Sequence, residues 1–142
     1  MKTTRVSREN RDSTARITVN EGGTRSSKTY SLAQLFLLFL MNEENAVLTI
    51  CRKTFPALKA SAMKDFIDLL KLYGMYDHRR HNKSDHIYRY GSNEIEFISV
   101  DQPQKIRGRK RRHLWINEAN ELNYEDYKQL ILLRRIVTGK QK

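Results

Sequence analysis

Lys28 and Thr29 close the octamer Gly22-Gly23-Thr24-Arg25-Ser26-Ser27-Lys28-Thr29, whose residue types suit the holding of phosphate. Glycines let backbone N–H groups close around phosphate oxygens, and a helix that follows presents its positive end. Lys28 is placed to reach the outer phosphates, and the Thr29 hydroxyl to ligate a magnesium ion. The spacing departs from G-x-x-x-x-G-K-[ST] at one position, where Ser27 stands for the second glycine. Serine fits if its φ is negative; at positive φ it costs roughly 1–2 kcal/mol. The plain alternative is a polar turn with a solvated lysine.

A second constellation weighs against that alternative. His113-Leu114-Trp115-Ile116-Asn117-Glu118-Ala119 reads as an apolar strand ending in a carboxylate. In nucleotide hydrolysis a strand-tip acid holds magnesium through water, and the next residue polarises the attacking water. Asn117 takes the first acid's place: it keeps an acceptor oxygen without the charge, so its hold on magnesium is weaker. Glu118 is the candidate catalytic base. Just before this strand lies the densest basic run, Lys105, Arg107, Arg109, Lys110, Arg111 and Arg112. It suits nucleic-acid phosphate, with a localisation signal or a solvated loop as the other readings. His78, His81 and His86 lack the cysteines or carboxylates that complete a metal set and read as part of a solvated basic loop.

The elements around these residues follow from periodicity. Residues 1–15 read as a flexible basic arm and 16–142 as one domain. A short strand over Arg16–Asn20 delivers the chain into the octamer. The helix from Lys28 to about Met41 is apolar on nearly all faces and therefore buried. Ala46–Cys51 is a continuous β-rich apolar run, the sign of an interior parallel strand. The basic turn Arg52-Lys53 leaves its carboxyl end, where ligands collect in open α/β sheets, and is expected to face nucleotide or DNA. One helix is expected from about Leu58 to Tyr73, capped by Gly74. His86–Tyr90 and Glu94–Ile98 read as a β-hairpin, the second strand half-buried by its alternation. A last helix starts near Asn123 as N-cap and turns Tyr127, Leu130, Ile131 and Leu133 inward.

Composition sets the outer bounds. Of 142 residues, 27 are Lys or Arg and 16 Asp or Glu, a net charge of +11 that calls for a polyanionic partner. Hydrophobic residues at 39% and charged residues at 30% describe a folded domain rather than a disordered chain. Cys51, the single cysteine, excludes an intrachain disulfide and fits the cytoplasm as a buried thiol. The polar amino terminus has no signal core, and Leu32–Met41 is too short to cross a membrane.

Together the octamer, Cys51-Arg52-Lys53-Thr54-Phe55-Pro56-Ala57-Leu58-Lys59-Ala60-Ser61, Ile95-Glu96-Phe97-Ile98 and Leu114-Trp115-Ile116-Asn117-Glu118-Ala119-Asn120-Glu121-Leu122 resemble the ATPase half of phage terminase large subunits, over roughly residues 16–135. The resemblance implies a P-loop NTPase of the ASCE type: an α/β three-layer αβα sandwich with a mostly parallel sheet plus a hairpin, incomplete at the carboxyl terminus. It implies ATP and Mg2+ as cofactors and Gly22–Thr29 as the ATP loop. Lys28 and Thr29 would contact phosphate and metal, Arg25 would be the mobile loop arginine, and Asn117-Glu118 the acidic pair. Double-stranded DNA, a small terminase subunit and a portal protein are the implied partners, in a homo-oligomeric ring in the host cytoplasm. A non-hydrolysing nucleotide- or DNA-binding module is the alternative; a helicase-like translocase lacks its further motifs. In this family a strand after the acid strand fills the slot beside it, and a nuclease domain follows. Residues 127–142 hold no Asp or Glu and no β-rich run. Taken alone, the 142 residues are thus expected to be marginally stable and weakly active.

Overall fold

The computed structural model describes residues 28–102 and 111–130, with only the backbone of Lys28. The expected strand over Arg16–Asn20, the amino-terminal arm, Gly22–Ser27, Lys105, Arg107, Arg109, Lys110, Ile131 and Leu133 lie outside the described residues.

Helix α1 spans Lys28–Asn42, as its apolar run dictates. Strand β1, Val47–Arg52, follows a turn in which Asn45 takes φ 53°. Two helices come next, α2 at Phe55–Ala60 and α3 at Ala62–Leu72. Strands β2 (His81–Asn82), β3 (Ile87–Tyr90) and β4 (Asn93–Ser99) precede β5 (His113–Ile116), and α4 covers residues 124–130. The sheet order is β2-β3-β4-β1-β5. β1 pairs parallel with β4 and with β5, while β2, β3 and β4 form an antiparallel meander. This is the mixed α/β fold with a parallel centre and a hairpin edge that the sequence leads one to expect.

Alternation along β1 distributes the core. Leu48 and Ile50 join Ile95, Phe97 and Trp115 beneath α1, α2 and α3, with Phe36, Leu37, Leu40, Leu58, Phe66 and Leu70 in the same cluster. Cys51, Ile98, Leu114 and Ile116 occupy the other face with Leu122 and Leu130. Both faces of β1 are therefore covered, which is why it reads as a continuous apolar run. Burial pushes the Cys51 thiol up to about 12, so it is the inert thiol expected.

Three sequence expectations change. The single helix over Leu58–Tyr73 is two helices broken at Ser61, whose φ −126° and ψ −97° are not helical. The Ser61 hydroxyl donates back to the Ala57 carbonyl at 2.7 Å and receives the Arg52 guanidinium at 2.8 Å, so the break is fixed by polar partners. Gly74 does terminate α3: at φ 68° it gives its N–H to Lys71 O while Met75 N–H reaches Leu70 O, a Schellman end. Second, β4 is an interior strand rather than a half-buried one. Among its residues Asn93–Ser99 only Glu94 is half-buried and the others are buried, Glu96 being 3% exposed.

Third, Arg111, expected among the nucleic-acid-facing cations, is turned into the protein. Its Nε donates to Glu96 at 2.9 Å, and Thr49 Oγ1 donates to the same carboxylate at 2.6 Å. Register explains the triad, because Thr49 lies opposite Glu96 on one side and Leu114 on the other. A carboxylate facing the interior next to β1 requires a cation, and the chain entering β5 supplies it. Arg112, one residue on, stays exposed beside Glu43. His81 bonds the Tyr76 hydroxyl and His86 packs on Phe55, so the two rings sit in separate contacts.

Removing one partner of a buried pair leaves the other charge uncompensated. Arg111→Ala should destabilise the domain by roughly 3–5 kcal/mol, read from urea unfolding midpoints. The exposed neighbour Arg112→Ala should stay within about 0.5 kcal/mol of the parent.

Candidate active site

Two elements aim at one end of the sheet. Asn93, the first residue of β4, gives its amide N–H groups to Leu40 O and Glu43 O at 2.9 and 2.6 Å and thereby caps the end of α1. That satisfies carbonyls a helix end otherwise leaves open. It also places the carboxyl end of α1 at the amino ends of the parallel strands. Along α1, Phe36 packs on Trp115 and Phe39 stacks on His113 at 3.8 Å, so the helix runs against β5. Fifteen residues make a helix of about 22 Å, comparable with the length of β1. The Lys28-Thr29 end of α1 and the Asn117-Glu118 turn therefore share the carboxyl edge of the sheet.

At that edge Asn117 continues β5, its N–H donating to Cys51 O at 2.7 Å. Its side chain is buried, with Oδ1 3.2 Å from Ser61 Oγ and 3.4 Å from Arg52 Nη1. The expected magnesium partner thus faces a guanidinium and a hydroxyl. Glu118 follows in the left-handed region, φ 54° and ψ 57°. A non-glycine residue there carries roughly 1–2 kcal/mol of strain, a kind that collects at functional sites. The turn is held on its far side by a short 3-10 helix, Ala119–Glu121, whose Glu121 N–H returns to Glu118 O at 3.0 Å.

The basic turn Arg52-Lys53, expected from its position at the strand end to face nucleotide or DNA, is engaged by two carboxylates of the chain. Arg52 Nε and Nη2 grip the two oxygens of Glu121 at 3.0 and 2.9 Å. Hydrogen bonding holds Arg52 above its usual value and Glu121 below the usual carboxylate value; burial works against both. Lys53 Nζ reaches Asp126 Oδ2 at 2.5 Å, and this bond depresses the Asp126 carboxyl. Asp126 belongs to the capping box of α4: its N–H donates to Asn123 Oδ1 at 2.8 Å, as the expected N-cap requires. Sequence reasoning missed Ser61, Glu121 and Asp126 as members of this edge. Glu121, three residues past Glu118 at the mouth of a strand, was the available signal.

Of the expected site residues, then, Lys28, Thr29, Asn117 and Glu118 are on elements that converge. Gly22, Gly23, Thr24, Arg25, Ser26 and Ser27 lie outside the described residues, directly ahead of α1. Among the described residues no three His, Cys, Asp or Glu side chains form a metal cluster. No described helix is long and apolar enough to cross a membrane.

Comparison with known proteins agrees with this fold. Residues 14–142 match the family described as phage terminase large subunit. The PBSX phage terminase large subunit of Bacillus subtilis (strain 168) is 30% identical over 112 residues, covering 78% of this chain and 26% of that protein. The large terminase of a thermophilic bacteriophage superposes with a TM-score of 0.66 at 16% identity, over 80% of this chain and 29% of that one, a likeness of fold. The chain thus spans little more than a quarter of the length of these relatives. It belongs to the phage terminase large subunit family.

Proposed function

We propose that this domain binds ATP and hydrolyses it to drive double-stranded DNA into a viral procapsid. What supports the reading is that α1 begins and β5 ends at the same edge of the parallel sheet, as the packing of Phe36 on Trp115 and Phe39 on His113 implies. Gly22, Gly23, Thr24, Ser26 and Ser27 would wrap backbone N–H groups around the phosphates. Lys28 would donate charge-assisted hydrogen bonds to the outer phosphates, and Arg25 would add a second cation to the loop. Oxygen donors suit magnesium: Thr29 would hold it through its hydroxyl, and Asn117 only through water, given Arg52 beside its oxygen. When bound, the ion neutralises charge that develops on the phosphates. Glu118 would accept hydrogen bonding from the attacking water and orient it for in-line displacement.

Lys105, Arg107, Arg109, Lys110 and Arg112 would meet DNA phosphate, Arg111 being taken by Glu96. A small terminase subunit, a portal protein and further copies of the chain in a ring would complete the motor in the host cytoplasm. The second reading, a nucleotide-binding module without hydrolysis, is favoured by one observation. Asn117 brings no charge to the metal and lies against a cation.

Three outcomes test the proposal. Lys28→Ala should abolish binding of an ATP analogue in calorimetric titration, since charge-assisted bonds are each worth about 1.5–3 kcal/mol. Equal affinities would remove the loop from this role.

In the full-length protein Glu118→Gln should keep ATP affinity and cut magnesium-dependent turnover by about 10²–10⁴. Parent-like turnover would exclude Glu118 as the base, and a parent that binds ATP without turning it over would favour the second reading.

Duplex DNA should bind with a steep salt dependence. Neutralising Lys105, Arg107, Arg109 and Lys110 should flatten the slope of log K against log salt by about 0.9 for each phosphate no longer neutralised. An unchanged slope would make the run a solvated loop.

A further inference from the structure

Asn117 has its acceptor engaged and its donor to spare. Two residues past Trp115, it extends β5 on the face that α1, α2 and α3 cover. Its side chain is 5% exposed, and Oδ1 lies 3.4 Å from Arg52 Nη1 and 3.2 Å from Ser61 Oγ. A guanidinium only donates, so the amide turns its oxygen, not its nitrogen, toward Arg52. Arg52 is itself held on both sides: Nε and Nη2 are on Glu121, and Nη1 gives a proton to Ser61 Oγ at 2.8 Å. Nδ2, on the other branch of the Asn117 amide, has no hydrogen-bond partner among the described residues. Phe39 meets His113 and Phe36 meets Trp115, so α1 runs antiparallel to β5 above this face. From Phe36 the helix reaches back to Thr29 by roughly 10 Å, and from Trp115 the strand reaches on to Asn117 by roughly 7 Å. The first turn of α1 therefore comes level with Asn117 and extends past it.

We propose that Asn117 donates through Nδ2 to a phosphate oxygen of the nucleotide, with Arg52 and Ser61 as positioning residues that fix the sense of its amide. The inference rests on the ATP reading above. A nearly buried amide N–H2 at a strand tip, beside a helix start that suits phosphate, is a donor for an anionic oxygen. It gives asparagine a use here that aspartate lacks, since an ionised carboxylate only accepts. Oδ1 keeps little acceptor capacity for a magnesium-bound water, so the chief contact of the residue is with the nucleotide itself. Ser61 acts through Arg52: its hydroxyl, donating to Ala57 O, accepts from Nη1 and holds the guanidinium where it meets Oδ1.

Magnesium separates a phosphate donor from a metal ligand. The affinity of the full-length protein for a non-hydrolysable ATP analogue is titrated with magnesium, then with EDTA in its place. Asn117→Ala should weaken binding about tenfold or more in both titrations, because a hydrogen bond to a charged oxygen is lost whether or not the ion is there. Asn117→Leu, which fills the space left by the amide, should do the same and guards against a collapsed site. Ser61→Ala should show a smaller loss on its own, in EDTA as well, and none when added to Asn117→Ala. A loss confined to the magnesium titration makes Asn117 a metal-side residue and overturns the inference. So does parent-like binding by both Asn117 variants, or a parent that binds the analogue only with magnesium. Additive losses from Ser61 and Asn117 overturn the positioning role. Analogue binding that Lys28→Ala leaves unchanged overturns the ATP reading beneath it instead.

Discussion

Strand β1 has neither a free edge nor a free face, and the molecule is arranged around that constraint. β4 and β5 take its two edges in parallel register, and helices or buried side chains take both faces. Every polar group that β1 and its neighbours carry inward must then find a partner within the chain, because burial without one costs about 1–3 kcal/mol. Thr49 and Glu96 find Arg111, and Arg52 at the strand's end finds Glu121, Ser61 and Asn117. Two polar clusters thus tie β5 to the sheet, one ahead of its first residue and one past its last. Between them runs the strand that ends in Glu118.

These pairings change the meaning of the chain's positive charge. A net charge of +11 invites a surface of free cations. Several of those cations are engaged internally: Arg52 on Glu121, Lys53 on Asp126, Arg111 on Glu96, and Arg79 and Arg80 on Asp77. The Asp77 carboxyl is held down at about 2, chiefly by its bonds from Arg79. These acids are already subtracted in the +11, so at the strand ends, where Arg52 and Lys53 meet Glu121 and Asp126, little of the positive excess remains. The DNA contact proposed above is accordingly assigned to Lys105, Arg107, Arg109, Lys110 and Arg112 and not to Arg111.

The elements legible in the sequence were those set by apolar pattern over several residues: α1, β1, the β3–β4 hairpin and the acid strand. The Gly74 stop and the Asn123 cap were legible because their chemistry is local. What escaped depends on contacts across the chain. Ser61 breaks a helix that its own neighbours would continue, since Arg52 and Ala57 offer its hydroxyl better partners than solvent does. Glu94, Glu96 and Ile98 alternate with Ile95 and Phe97 as a half-exposed strand would, yet Arg111 lies 15 residues away in sequence and makes Glu96 an interior residue. The place of Arg52-Lys53 at a strand end does not reveal the two acids that close over it. The site's outline, a lysine-threonine helix start and a strand-tip glutamate, was visible; the groups that hold the glutamate were not.

Glu118 shows why such holding groups are needed. Glycine would adopt φ 54° without strain, but glycine carries no carboxylate, so a chain that places an acid at this turn must accept the cost. Asn45 and His86 also take left-handed backbone, and Asn45 is the residue type, besides glycine, most at ease there. Glutamate is not, and left alone the turn would relax toward ordinary backbone and swing the carboxylate away from the sheet edge. It stays because both sides are pinned: Asn117 N–H to Cys51 O ahead, and Glu121, through its N–H and its grip on Arg52, behind. Since Cys51 and Arg52 are consecutive residues of β1, both pins are set in the one strand that cannot shift without breaking two parallel ladders. The strain at Glu118 is therefore supported by the stiffest part of the fold, which is how a turn of three or four residues can keep an acid in place.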